Sequence, residues 1–253
     1  MRIATWNLER CNPRKREAQL SRIGEIDADI WLLTETTTDF QPTPLHSHSA
    51  LSPAHPERRP EYERWAAIWS KWPLEQIGDP AAHRRGSVSA VVDTPDGETI
   101  VFCTVIAWHG EKQFDDGTPA KGWEVHHREA ERQASEWRRI REFYPELPLV
   151  IGGDFNQVRD GRGRYGTARS RQIVTEALDA TGLVCVTEFD ARAEGFVHDK
   201  SLVDHICVPK GWEPLEATVV DRFDEDGKAL SDHPIVIVEI CFKDSSTLNP
   251  EST

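Results

Sequence analysis

The sequence predicts an α/β (α+β) fold in one domain over residues 1–243, followed by a polar tail at 244–253. Three observations carry that expectation. Apolar, strand-like runs alternate with helical patterns along the chain. Six of those runs begin or end on a polar side chain able to do chemistry. No internal repeat or linker-like stretch divides the 253 residues, a length that can bury one sizeable core.

RIATWN opens as a strand closed by Asn7. Residues 14–27 place Leu20, Ile23 and Ile26 at helical spacing against a charged face, which predicts a helix. ADIWLL then reads as a buried strand running to Glu35. Residues 41–64, rich in Pro and His on a polar background, are expected to form a long loop. WAAIW and SVSAVV read as short strands separated by a Pro- and Gly-bearing stretch. DTPDGE has hairpin-turn chemistry and leads into TIVFCTVIAW, with His109 at its end. Residues 123–144 give the longest helical pattern, with Ala130, Ala134, Trp137, Ile140 and Tyr144 on one face and Pro145 and Pro148 stopping it. LVIGG runs into Asp154 and Asn156. Gly161, Gly163 and Gly166 mark an Arg-rich loop, 168–180 a further helix and LVCV a strand. DHICV and DHPIVIVEI come last, opening on Asp204 and on Asp232-His233.

The formal charge of −13 argues against tight, sequence-independent coating of DNA or an anionic membrane, which basic residues dominate. It leaves room for a nuclease, because a bound cation and a few local Arg offset the field at a site. The acidic stretch 221–226 reads as a solvated loop. Five unevenly spaced cysteines predict buried free thiols in a reducing compartment. No apolar run approaches the roughly 18 residues of a membrane span, and no apolar leader opens the chain. These features predict a cytoplasmic protein with no membrane association and no obligate protein partner.

If the strands alternate in direction, the polar run-ends converge on one edge of a sheet or pair of sheets. An oxygen-rich rim with two histidines suits a hard divalent cation and phosphate-ester chemistry. Glu35 is the natural anchor ligand, with Asn7 and Asp232 completing the shell directly or through water. Asp154 can orient or deprotonate an attacking water, and the Asn156 amide can donate to a phosphate oxygen without repelling it. Asp204 can pair with His233, leaving its imidazole toward the phosphate, and His109 can approach from the other flank. Each residue alone has an ordinary reading, as a strand-end acid, an Asx-turn after Gly-Gly or a turn before a strand. Taken jointly and in order, they point to a site.

That ordered set (TWN, LLTE, WH, GGDFN, VDHICV and SDHPIV, across residues 3–240) resembles the endonuclease/exonuclease/phosphatase superfamily with its pancreatic-DNase-like fold. The resemblance implies a four-layer sandwich of two packed mixed β-sheets flanked by helices. It implies metal binding at Glu35 with Asn7 and Asp232 nearby, and catalytic or phosphate-contacting roles for His109, Asp154, Asn156, Asp204 and His233. The expected cofactor is Mg²⁺, with Mn²⁺ able to substitute. The superfamily spans several substrates, so the motifs fix the reaction and not the substrate. ARAEGFVHDKSLVD lacks the Trp-rich sequence of exonuclease-III-type enzymes, which argues against an abasic-site role.

A nuclease is the leading expectation. The alternatives are a phosphoesterase of a small-molecule or lipid head-group phosphate, and a catalytically idle binding module on the same fold. The cluster Arg159, Arg162, Arg164, Arg169 and Arg171 follows GGDFN and is the candidate for phosphate-backbone contact, with Arg162 and Arg164 foremost and Tyr165 able to stack on a base. HRRG at 83–86 is a second candidate. His46, His48 and His55 read as a surface loop before they read as a transition-metal site.

Overall fold

The computed structural model describes residues 1–54, 62–78, 86–162, 165–197 and 201–241. In chain order the elements are β1 (Arg2–Asn7), α1 (Arg16–Ile26), β2 (Ile30–Thr37), β3 (His48–Leu51), β4 (Glu63–Ser70), β5 (Leu74–Ile77), β6 (Ser87–Thr94) and β7 (Gly97–Val105). They continue with α2 (Glu124–Phe143), β8 (Leu149–Asp154), α3 (Ala168–Thr181), β9 (Leu183–Cys185), β10 (Asp204–Pro209), β11 (Glu213–Val220) and β12 (Ile235–Cys241).

The strands form two six-stranded sheets, ordered β11-β12-β1-β2-β4-β3 and β5-β6-β7-β8-β10-β9. Each is mixed: β1–β2 and β7–β8 are parallel, joined by crossovers through α1 and α2, and the other pairs are antiparallel. The most buried strands read as unbroken apolar runs because both faces are covered. Ile3, Leu32 and Ile68 of the first sheet pack against Val88, Val101, Val150 and Ile206 of the second. On the outer side, Trp6, Trp31 and Leu33 meet Ile23 and Ile26 of α1. Phe102 and Ile151 meet Ala134 and Trp137 of α2 and Val174 of α3. The layers are helix, sheet, sheet, helices, as the resemblance implied.

Three strands lie where no strand was expected. The stretch 41–64 carries β3 and the start of β4, and β5 lies between WAAIW and SVSAVV. Both new strands are four residues long and sit at sheet edges, where a short, half-exposed strand needs no apolar run. Edge strand β11 is exposed over its first four residues and was not anticipated either. Two boundaries also move. Strand β7 stops at Val105, leaving His109 on a loop, and β12 begins at Ile235, leaving Asp232 and His233 before the sheet.

Cys11, Cys103, Cys185 and Cys207 are buried free thiols as expected, whereas Cys241 is exposed at the end of β12. His46 is no metal candidate here: its ring is buried between the Ala28 carbonyl oxygen (3.1 Å) and Thr43 Oγ1 (2.8 Å). His55, residues 83–85, Gly163, Arg164 and the tail 244–253 lie outside the described residues. Among the described residues no helix is long and apolar enough to cross a membrane.

The site end of β8 depends on a glycine. Gly153 has φ of +134°, and a Cβ there would overlap the Thr104 carbonyl oxygen across the β7–β8 pair. Gly153→Ala should therefore lower stability by about 2 kcal/mol or more. Urea unfolding measures the loss, and a wild-type midpoint would show that the backbone there is free to move.

Candidate active site

The C-terminal ends of the parallel strands bring the polar run-ends together. Asn7 closes β1, Glu35 lies near the end of β2, and Asp154 closes β8. Glu35 and Asn156 both hold positive φ (51° and 48°), a conformation non-glycine residues adopt at a cost. Asp154 and Asp204 are directly opposed in the β8–β10 register, both buried. Like charges so placed repel, and the surrounding groups answer that repulsion.

Asp154 Oδ1 accepts the Asn156 backbone N–H (2.8 Å), and Oδ2 accepts from Asn7 Nδ2 and Asn156 Nδ2 (3.1 Å each). Asn156 Nδ2 also donates to the Ile106 carbonyl oxygen (2.9 Å). Both amide hydrogens are thus engaged, and Asn156 orients Asp154 instead of pointing a free donor at a substrate. Asn7 Nδ2 lies 3.4 Å from Glu35 Oε1, while its Oδ1 accepts the Glu9 backbone N–H (2.9 Å).

His233 Nδ1 sits 2.6 Å from Asp204 Oδ2, and its Nε2 lies 3.9 Å from Asp232 Oδ1. The loop bearing it is tied to β1. Trp6 Nε1 donates to the His233 carbonyl oxygen (3.0 Å), and Ser231 Oγ donates to that of Asn7 (2.5 Å). The predicted Asp204–His233 pairing is present.

The electrostatics follow from burial and crowding. Burial, joined by the Asp204 charge, raises the Asp154 pKa to about 7, against the lowering effect of His233 and the amide donors. Burial would lower the His233 pKa, but the carboxylates of Asp204 and Asp154 together outweigh it and push the group up to about 10. His233 is an imidazolium at neutral pH, and Asp154 is a carboxyl group poised between its two forms.

The remaining candidates are placed differently. His109 is exposed on the loop after β7. Its Nδ1 is 3.0 Å from the Tyr165 hydroxyl and its ring stacks on Trp123 at 5.4 Å. Tyr165 is half-buried and lines the cavity beside Asp154 and Asn156. Arg162 is half-exposed but ion-paired with Asp190 (2.6 Å). Arg159 is buried against Glu188 and Thr175, and Arg169 pairs with Glu131, so the Arg cluster is largely tied up within the fold.

Of the candidates, Glu35, Asp154, Asn156, Tyr165, Asp232 and His233 line a cavity of about 400 Å³, and His109 and Arg162 do not. Sequence reasoning missed much of its wall, including Arg10, Trp65, Trp108, Glu111 and Glu129. Arg10 sits in a left-handed turn, Glu9–Cys11, with φ of 49°, 61° and 49°. Its only sequence signal is its position three residues after Asn7.

Ligand atoms of Asp154, Asp204 and His233 lie within 4.8 Å of one another, and the buried Asp204 Oδ1 has no hydrogen-bond partner among the described residues. The carboxylates at this end, with Glu35 and Asp232 beside them in the cavity wall, offer oxygen donors that fit a hard divalent cation, while the His233 imidazolium has no lone pair to give.

Two stacked mixed sheets thus gather acids, amides and a histidine at one end. The chain belongs to the endonuclease/exonuclease/phosphatase family, whose model matches residues 4–233. Enzymes of this family generally use divalent metals. No curated protein matches the chain by sequence.

Among solved structures the chain resembles the 3′ phosphatase NExo from Neisseria, bound to a product DNA hairpin. Identity is 20% over 96% of this chain and 100% of that one, with a TM-score of 0.64. It also resembles the endonuclease domain of TRAS1, a telomere-specific non-LTR retrotransposon, at 19% identity over 94% and 97% of the two chains and a TM-score of 0.58. The human Nocturnin catalytic domain, with a bound sulfate, matches at 14% over 96% and 94%, with a TM-score of 0.64.

Proposed function

We propose that the chain is a divalent-metal-dependent phosphodiesterase acting on nucleic acid. The observation that carries this reading is the buried Asp154 carboxyl, gripped by Asn7 and Asn156 and set against the Asp204–His233 pair. A carboxyl with its pKa raised to about 7 suits a base that takes a proton from water near neutral pH. The two DNA-related neighbours, a 3′ phosphatase and a retrotransposon endonuclease, support the substrate class.

Glu35, Asn7 and Asp232 would hold the cation, leaving the Asp204–His233 pair intact. When bound, a divalent cation neutralises charge on the phosphate oxygens and the leaving oxygen. Asp154 accepts a proton from the attacking water as the new O–P bond forms and the leaving O–P bond breaks. Asn7 and Asn156 keep the Asp154 carboxylate aimed. The His233 imidazolium, fixed at Nδ1 by Asp204, presents Nε2 to a non-bridging oxygen where charge builds. His109 is placed to meet the substrate at the rim, and Arg162 can exchange Asp190 for a substrate phosphate, with Arg164 beside it in sequence.

EDTA should abolish hydrolysis of bis(p-nitrophenyl) phosphate, and added Mg²⁺ or Mn²⁺ should restore it. Glu35→Ala should raise the metal concentration needed for half-maximal rate. Full activity in EDTA removes the cation from the reading. Cleavage of inositol phosphates but of no DNA or RNA would move the substrate class and leave the chemistry in place.

A further inference from the structure

Trp108 is 51% exposed, yet its ring is not loose. The turn from Trp108 to Glu111 closes with the Glu111 backbone N–H on the Trp108 carbonyl oxygen (3.2 Å). The indole then lies over Gly110 so closely that a Cβ on that residue would overlap its six-membered ring. His109 braces it edge-on at 5.3 Å, and His109 is itself stacked on Trp123 and bound to the Tyr165 hydroxyl. A large aromatic face is therefore held in a fixed pose in the wall of the cavity that contains Asp154 and His233. Tyr165 cannot offer such a face, because it is half-buried and packs edge-on against both His109 and Trp123.

Resting on the nucleic-acid reading above, we infer that Trp108 is a base-stacking subsite, so that the substrate enters as an unpaired, unstacked nucleotide instead of an intact duplex. Every nucleobase has a π-face, so stacking gives grip without demanding a sequence. A base inside a duplex already stacks on its neighbours and reaches a protein ring only by leaving the helix, at a cost a single strand does not bear. The cavity of about 400 Å³ is of the size that takes a small ligand unit, and no helical groove has to be followed to fill it. An acidic protein whose Arg159, Arg162 and Arg169 are ion-paired within the fold also gains from an uncharged means of holding its substrate.

The test uses the whole chain with EDTA, so that binding is read without cleavage. The probes are a fluorescein-labelled oligothymidylate and a strand of equal length built from abasic tetrahydrofuran residues. Trp108→Ala should weaken oligothymidylate binding about tenfold and leave abasic-strand binding unchanged, while Trp108→Phe should retain most of the affinity. Gly110→Ala should reproduce the base-specific loss by lifting the ring from its seat. In Mg²⁺, wild type should cleave single-stranded ahead of duplex DNA, and Trp108→Ala should shrink that preference. Equal losses on both strands would assign Trp108 a purely structural role and overturn the inference, as would no loss on either. A wild type that cleaves nucleic acid normally alongside such a result keeps the proposed function. A wild type that binds neither strand and cleaves no nucleic acid removes the parent reading and this inference with it.

Discussion

Asp154→Asn should cut phosphodiester turnover by about 10²–10⁴-fold, the usual range for losing a general base, while the chain stays folded. The substitution keeps the shape and removes the carboxylate that Asn7 and Asn156 hold in place. It should also change stability in a pH-dependent way. The folded-state pKa of Asp154 is raised to about 7, above an unfolded value near 4, so the native state favours the protonated carboxyl. Its contribution is present below about pH 4 and is lost as pH rises through 7. In metal-free protein the asparagine variant should therefore gain most on wild type above pH 7, as thermal melts at pH 5 and pH 8 would reveal. Near-normal turnover, or an equal melting shift at both pH values, would show that Asp154 is neither a buried acid nor the base.

The second large effect belongs to Asp204→Asn, expected to lower kcat/KM by about 10²–10⁴-fold at pH 8.5. His233 keeps its charge because burial is outweighed by Asp204 and Asp154, which push its pKa to about 10. For a raised histidine the stabilising contribution is complete below about 6.5 and disappears as pH climbs through 10. The proposed mechanism needs Asp154 ionised and His233 protonated, so wild type should have an acid limb at about pH 7, drawn lower by a bound cation, and a basic limb near 10. Without the Asp204 carboxylate the basic limb should move down by more than a unit. The pH profile of kcat/KM measures it. An unmoved basic limb would mean that His233 does not carry the positive charge.

The candidate site was legible because each group ends or begins an abrupt change from apolar to polar sequence. Asn7, Glu35, Asp154 and Asp204 lie within or at the end of a strand, and a strand end fixes position well enough for sequence order to imply convergence. His109 was harder to place, because nothing in VFCTVIAWH shows that the strand stops at Val105 and the chain turns. The pairing of the Arg cluster was hidden for a different reason. Arg159 looks like an exposed loop cation, but its partner Glu188 is 29 residues away, and local sequence carries no trace of such pairing. Edge strands β3, β5 and β11 escaped because they need to bury only part of one face.

The order of the strands has a bearing on biosynthesis. The second sheet is made entirely from one continuous stretch, β5 to β10, whereas the first draws β1–β4 from the beginning and β11–β12 from the far end. Strand β1 lies between β2 and β12, with the Met1 amino group on the Ile240 carbonyl oxygen. A ribosome therefore releases the second sheet ready to pair while β1 still shows an open edge. Asn7 and Asp154 wait for His233, which emerges only a few residues before β12. No shorter nascent chain holds the full set, so the candidate site is completed only when β12 closes the first sheet.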